Sequence, residues 1–214
     1  MKNLFKYDYR INPETYQFNN AIWVFGCSNI YGYDLPEEQT AAFVLEKMID
    51  IPVANLGITG GNVFNIEHNL SVLLKTYTPK AIILAWPRPT RWTDSDGFNW
   101  GNWFFDEHID SMPGLRDIPL NPVRFKEYKE LLFSGELETL TYNCIDRIRE
   151  MIKDHPSIEF VYTSPKLPPP VKTNMIHYVD HMPDNIHPGP ETNKIAAEWL
   201  KEKLIALNVN KSIH

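Results

Sequence analysis

Ser28 closes the run Ala21-Ile22-Trp23-Val24-Phe25-Gly26-Cys27-Ser28, and Asp184-Asn185-Ile186-His187-Pro188-Gly189 stands just ahead of the last helical stretch. A hydroxyl, an imidazole and a carboxylate are the groups that make a serine nucleophilic. The imidazole takes the hydroxyl proton, and the carboxylate fixes the ring and steadies its positive form. The chemistry of such a set is acyl transfer. Singly, each residue has a plainer use: Ser28 suits a turn or a helix start, Asp184 a cap or turn, and His187 a loop held by Pro188. Jointly they weigh more, because the Asp-x-x-His turn leads into a helix that can return His187 to the edge where Ser28 stands.

The elements that must position these groups read from hydrophobic spacing. Residues 21–26, 52–56 and 81–85 are short apolar runs, each predicting a strand buried on both faces. Between them, residues 37–49 and 63–76 carry apolar side chains at helical spacing, with Pro36, Glu37 and Glu38 suiting the first helix start. Strand and helix in alternation predict a mostly parallel sheet covered on both faces. Residues 123–154 read as a helical stretch broken near Ser134-Gly135. Residues 158–162 read as a fourth strand, 176–179 as a short fifth, and 190–206 as the closing helix. Residues 1–20 read as an N-terminal arm and 21–214 as one domain. Within it, residues 86–121, rich in Trp, Phe, Pro and Gly, are too long for an ordinary connection and predict an insertion bordering the site. In an open parallel sheet the carboxyl ends of the strands line the ligand crevice. Ser28, Gly60-Gly61 and the segment from Trp86 to Arg91 each follow a strand and so converge on that rim.

Composition narrows the class. With 214 residues, 43% hydrophobic and 22% charged, the chain has the make-up of a globular domain with a sizeable core. A net charge of -6 gives no basic footprint, so nucleic acid is not the expected partner. Cys27 and Cys144 are the only cysteines, too few for a disulfide scaffold. The first ten residues lack the apolar core of a signal peptide, and no run is long enough for a membrane span. The expectation is a soluble protein without membrane partners, cytoplasmic or, for a viral gene, in the host cell or with the virion.

In order and spacing, Gly26-Cys27-Ser28, then Asn55-Leu56-Gly57-Ile58-Thr59-Gly60, then Asp184-x-x-His187-Pro188 resemble the blocks of the SGNH hydrolase family, the GDSL-type esterases and lipases. The resemblance runs from about residue 21 to 206. It implies a flavodoxin-like three-layer α/β/α sandwich with a mostly parallel sheet, ester or acetylated-carbohydrate substrates, and no metal or other cofactor. It implies Ser28 as nucleophile and backbone oxyanion donor, Gly60 as a second backbone donor, and Asp184 and His187 as the remaining triad members. Two departures stand out. Cys27 replaces the acidic residue that usually precedes the serine. Where the family's third block has Gly-x-Asn-Asp, this chain has Trp86-Pro87-Arg88-Pro89-Thr90-Arg91. Loss of one oxyanion donor costs roughly 3–4 kcal/mol in a comparable serine hydrolase. Arg88 or Arg91 can supply a guanidinium in its place or grip an anionic substrate group; the alternative is a structural arginine paired to Asp94, Asp96 or Asp106. Asn62 is a further oxyanion candidate, or the cap of the following helix. Trp86 and Trp92 are candidates for substrate contact, although most tryptophans of the insertion suit its own small core.

Other readings compete. Asp180-His181-x-x-Asp184-x-x-His187, with His177 nearby, has the composition of a zinc ligand set, though without a His-Glu-x-x-His helix. Gly57–Gly61 lacks the Gly-Lys-Ser/Thr ending of a phosphate loop, and Gly26–Gly32 lacks dinucleotide-binding spacing. The expected function is a serine esterase acting on a carboxylic ester, such as an O-acetyl group on a carbohydrate. The alternative is a catalytically weak or inactive carbohydrate-binding or structural protein, of viral origin among other sources, built on the same fold.

Overall fold

The computed structural model describes residues 4, 9–95, 98–101, 121–163, 173–183 and 187–209. Its centre is a five-stranded sheet of β1 (Ile22–Gly26), β2 (Val53–Gly57), β3 (Ala81–Ala85), β6 (Ser157–Thr163) and β7 (Asn174–His177), in the order β2-β1-β3-β6-β7. Every pairing in it is parallel. In β1, β2 and β3 every residue is buried, which is why they appear in the sequence as unbroken apolar runs.

Side chains alternate between two cores. Ile22, Val24, Ile83 and Phe160 join α2 (Ala41–Ile49) and α6 (Pro190–Ala206) through Leu45, Ile49, Ala196 and Leu200. Trp23, Phe25, Leu84 and Val161 face α3 (Val63–Leu73) and α5 (Glu136–Ile152) through Ile66, Leu70, Ile145 and Ile148. The result is the expected three-layer α/β/α sandwich. Counting only strands of the main sheet, the order is 2-1-3-4-5, the flavodoxin-like arrangement whose ligand crevice opens between the first and third strands.

Local chemistry sets the ends. Thr40 accepts a hydrogen bond from Phe43 N at 3.3 Å and caps α2, so the helix expected from residue 37 begins at Ala41 after a single 3-10 turn at Glu37–Gln39. The helix expected to reach residue 76 ends at Leu73, and the fifth strand lies at Asn174–His177 rather than 176–179. The long helical stretch divides, as expected, into α4 (Pro122–Phe133) and α5, with Gly135 in the left-handed conformation at φ 76° between them.

Residues 9–20 lie against the α3/α5 side of the sheet: Phe18 is fully buried, and Trp23 Nε1 donates to its carbonyl at 2.9 Å. In the aromatic segment, β4 (Trp92–Thr93) and β5 (Asn99–Trp100) make a small antiparallel ladder. Asp94 closes it by accepting from Phe98 N at 2.9 Å and Trp100 Nε1 at 2.8 Å. Trp100 stacks on Phe125 and Tyr128 of α4, forming a third, minor core. Trp103, Phe104, Phe105, Asp96 and Asp106 lie outside the described residues. Among the described residues, no helix is long and apolar enough to cross a membrane.

Candidate active site

Ser28 begins a helix of four residues, α1 (Ser28–Tyr31), entered straight from β1 through Cys27. Its position is therefore set by the sheet, at the carboxyl edge where the strand order reverses. His187 comes from the β7–α6 loop, 159 residues later, and its Nε2 lies 2.8 Å from Ser28 Oγ. That is hydrogen-bond distance for a base about to take a hydroxyl proton. Ser28 is 4% exposed, so little water competes for its hydroxyl. The Tyr33 ring lies against the imidazole with centroids 5.0 Å apart. Asp184, the carboxylate expected to orient the ring, lies outside the described residues.

The loop that carries His187 is tied at its base. Asp180 and Gly189 face each other across it: Gly189 N donates to Asp180 O at 3.2 Å, and Met182 N to His187 O at 3.0 Å. The Asp180 carboxylate accepts from Glu191 N, Thr192 N and Thr192 Oγ1 at 3.0, 2.7 and 2.6 Å, fastening the loop to the first turn of α6. Partial burial raises the pKa of Asp180, but the hydrogen bonds from Thr192 and Glu191 outweigh it and hold the group below the usual carboxylate range. Gly189 is required here, since a Cβ would fall 2.2 Å from Asp180 Oδ2. The zinc reading thus meets a carboxylate already engaged in holding α6. Among the described residues no three His, Cys, Asp or Glu side chains group as metal ligands.

The second turn of the rim is Gly57–Gly61. Ile58 N donates to Gly26 O at 3.1 Å, which draws this turn onto the end of β1. Gly60 has φ 71°, a left-handed geometry that disfavours a side chain. Among the described residues, neither Ser28 N–H nor Gly60 N–H donates to a protein acceptor. Buried or half-buried backbone donors are rarely left so, and at a reacting serine they are the groups that receive an oxyanion.

The remaining candidates separate. Asn62 is a helix cap: its Oδ1 accepts from Phe64 N and Asn65 N, and its Nδ2 donates to Thr93 Oγ1 at 2.6 Å and Asn99 Oδ1 at 3.2 Å. With its amide so engaged, the expectation of an oxyanion donor is corrected. Trp86 is 4% exposed within the α3/α5 core and donates through Nε1 to Glu159 Oε2 at 2.9 Å, which corrects its assignment as a substrate contact. Trp92 is partly buried against the minor core. Arg91 donates through Nη1 to Gly61 O at 3.1 Å, bracing the Gly57–Gly61 turn. Arg88 is exposed. Asp94, one of the acids expected to pair with these arginines, is engaged within its own hairpin.

Three supports escaped the sequence reading. Arg10 donates to the carbonyls of Tyr31, Gly32 and Leu35 at 3.0, 2.6 and 2.8 Å, satisfying the carboxyl end of α1. Asn29 Nδ2 donates to Tyr178 Oη at 3.0 Å, joining the Ser28 turn to the His187 loop. Asn55 Nδ2 donates to Ile30 O at 2.9 Å from the neighbouring strand.

No protein-family model matches the sequence. No curated protein matches it either. Similarity appears in three dimensions. The chain superposes on TesA with a TM-score of 0.50, covering 87% of this chain and 99% of that one at 14% identity. The chain has an SGNH-hydrolase-like fold. A G-D-S-L family protein from Desulfitobacterium hafniense DCB-2 aligns at TM-score 0.49 and 14% identity, over 87% of this chain and 100% of the other. A carbohydrate esterase family 2 enzyme with a carbohydrate-binding domain, from Corynascus thermopiles (Myceliophthora fergusii), aligns at TM-score 0.49 and 11% identity, over 88% and 67%. At these identities the likeness is one of fold. In the SGNH-like frame, the Ser28–His187 pair occupies the crevice edge. The groove along α4, lined by Phe125, Lys126 and Phe133 among others, contains none of the site residues.

Proposed function

We propose that the protein is a serine-dependent hydrolase of carboxylic esters. The observation that carries this reading is the 2.8 Å contact between Ser28 Oγ and His187 Nε2 at the switch point of a parallel sheet. His187 Nε2 takes the hydroxyl proton as Ser28 Oγ attacks the ester carbonyl carbon, and the carbonyl π pair moves to oxygen. The N–H groups of Ser28 and Gly60 receive that oxyanion. As the carbonyl re-forms, the C–O bond to the alcohol breaks and His187 returns the proton to the departing oxygen. Water, deprotonated by His187, then attacks the acyl-serine, releasing the acid and restoring Ser28. Asp184, three residues before His187, is the carboxylate this mechanism assigns to the ring. Its spacing in the sequence is what supports that role.

An O-acetyl group on a carbohydrate is the substrate this reading favours. Trp92, one residue beyond Arg91 and only partly buried, is the aromatic side chain on which a sugar can stack. A panel of acetylated sugars and aryl acetates, run on wild type and Ser28→Ala, tests the assignment. The expected loss in Ser28→Ala is about a thousandfold or more. Turnover equal in the two proteins overturns it, and no turnover of any ester by wild type favours a binding or structural role.

A further inference from the structure

The loop that follows β3 is held almost throughout. Trp86 N donates to Phe160 O at 2.9 Å and Trp86 Nε1 to Glu159 Oε2 at 2.9 Å. Thr141 Oγ1 donates to Pro89 O at 3.3 Å, and Tyr128 Oη to Thr90 O at 2.8 Å. Arg91 donates to Gly61 O, and Thr93 Oγ1 is joined to Asn62, Asn65 and Asn99. Arg88 stands apart. It is exposed on this fixed loop and, among the described residues, has neither a hydrogen-bond acceptor nor a carboxylate partner. Arg88 lies three residues past the end of β3 and Ser28 two past the end of β1, the adjacent parallel strand, so both stand at the same carboxyl edge of the sheet.

We propose that Arg88 is a binding site for an anionic group carried by the substrate, so that the preferred ester is a charged one. This rests on the hydrolase reading above for the reaction, though not for the binding. A guanidinium fixed on a braced loop meets a carboxylate, sulfate or phosphate through two parallel N–H bonds, a geometry a lysine does not reproduce. Partial desolvation, followed by the like charge of Arg91, holds the Arg88 pKa below the ordinary arginine value, with Tyr178 and Cys27 acting the other way. An arriving anion relieves that repulsion. On a chain with net charge -6, a local pair of cations at the crevice also draws in an anion that the rest of the surface repels.

The test compares each charged ester with its neutral twin. A phenyl hemisuccinate and its methyl ester place the charge on the acyl side. A 4-acetoxybenzoate and its methyl ester place it on the alcohol side. For wild type, kcat/KM is expected to favour the charged member of at least one pair by about ten- to hundredfold, and that pair names the side. Arg88→Gln should collapse the ratio toward one, and Arg88→Lys should keep part of it. A ratio near one in wild type, an unchanged ratio in Arg88→Gln, or an equal fall on both members of a pair overturns the proposal. Calorimetric binding of the two charged esters, hemisuccinate and 4-acetoxybenzoate, to Ser28→Ala, with and without Arg88→Gln, needs no turnover. Binding weakened about tenfold or more by Arg88→Gln supports the anion site even if wild type hydrolyses nothing. Binding indifferent to Arg88 overturns it.

Discussion

Replacing Gly189 by alanine tests how the His187 loop is held. Gly189 has φ -80° and ψ -179°, a conformation alanine adopts freely, so any cost comes from contact and not from backbone strain. The new Cβ would lie 2.2 Å from Asp180 Oδ2 and 2.5 Å from its Cγ. An ordinary C···O approach is about 3.3–3.6 Å, so the carboxylate must withdraw by about 1 Å. That movement takes it out of reach of Glu191 N, Thr192 N or Thr192 Oγ1, now at 3.0, 2.7 and 2.6 Å. Hydrogen bonds to a charged acceptor contribute about 1.5–3 kcal/mol each, so losing one or two lowers stability by about 2–4 kcal/mol. In a domain of this size that is a fall in Tm of about 5–12 °C. His187 sits two residues away, and a displacement of about 1 Å from Ser28 lowers kcat/KM by about a hundredfold. Thermal melts and turnover of an aryl acetate measure both effects. The double variant Asp180→Ala/Gly189→Ala is the sharper control, because removing the carboxylate removes the clash. Its stability should match that of Asp180→Ala alone. Additive losses, or a Gly189→Ala protein with wild-type Tm and rate, refute the reasoning.

Arg10→Ala leaves the carbonyls of Tyr31, Gly32 and Leu35 without their shared donor and should lower stability by about 2–4 kcal/mol, with kcat falling more than KM rises. An unchanged kcat at full folding would remove Arg10 from the support of Ser28. Glu67 is held below the usual carboxylate range chiefly by its hydrogen bond from Arg147, at 2.5 Å, so its contribution is present above the unfolded pKa and vanishes as pH falls through the lower folded value. Arg147 is 55% exposed, so Glu67→Gln should cost only about 0.5–1 kcal/mol at pH 7. Urea melts should show that difference shrinking below about pH 4, and a constant difference would contradict the linkage. Asn62→Ala removes a helix cap and the tie to Thr93 and Asn99, and should cost about 1–3 kcal/mol by chemical denaturation. A variant as stable as wild type would show the cap to be dispensable.

How far the fold was legible follows from which forces shape each element. β1 and β3 are covered on both faces and so stand out as apolar runs, while α6 announces its start through Pro190 and Glu191. The start of α2 misled because Glu37 and Glu38 suit a first turn as well as they suit the 3-10 turn they occupy; the Thr40 hydroxyl decides between them. Trp86 was expected at the rim because it follows β3, yet its backbone still pairs with Phe160 and its ring continues the strand into the core. Ser28 and His187 were legible because strand end and helix approach each point to the same edge. Arg10 was not, since bonds from an arm to carbonyls 21 to 25 residues away leave no period in the sequence. The Asp180–Gly189 contact was hidden likewise, being a meeting of one side chain with an absent one.

Mapping the site of a serine-directed phosphonate by mass spectrometry bears most directly on the pairing of Ser28 with His187. The predicted result is one label per chain, on Ser28, absent in Ser28→Ala and formed about a hundredfold or more slowly in His187→Ala. A label on another serine, or labelling of Ser28 at the same rate without His187, would contradict it.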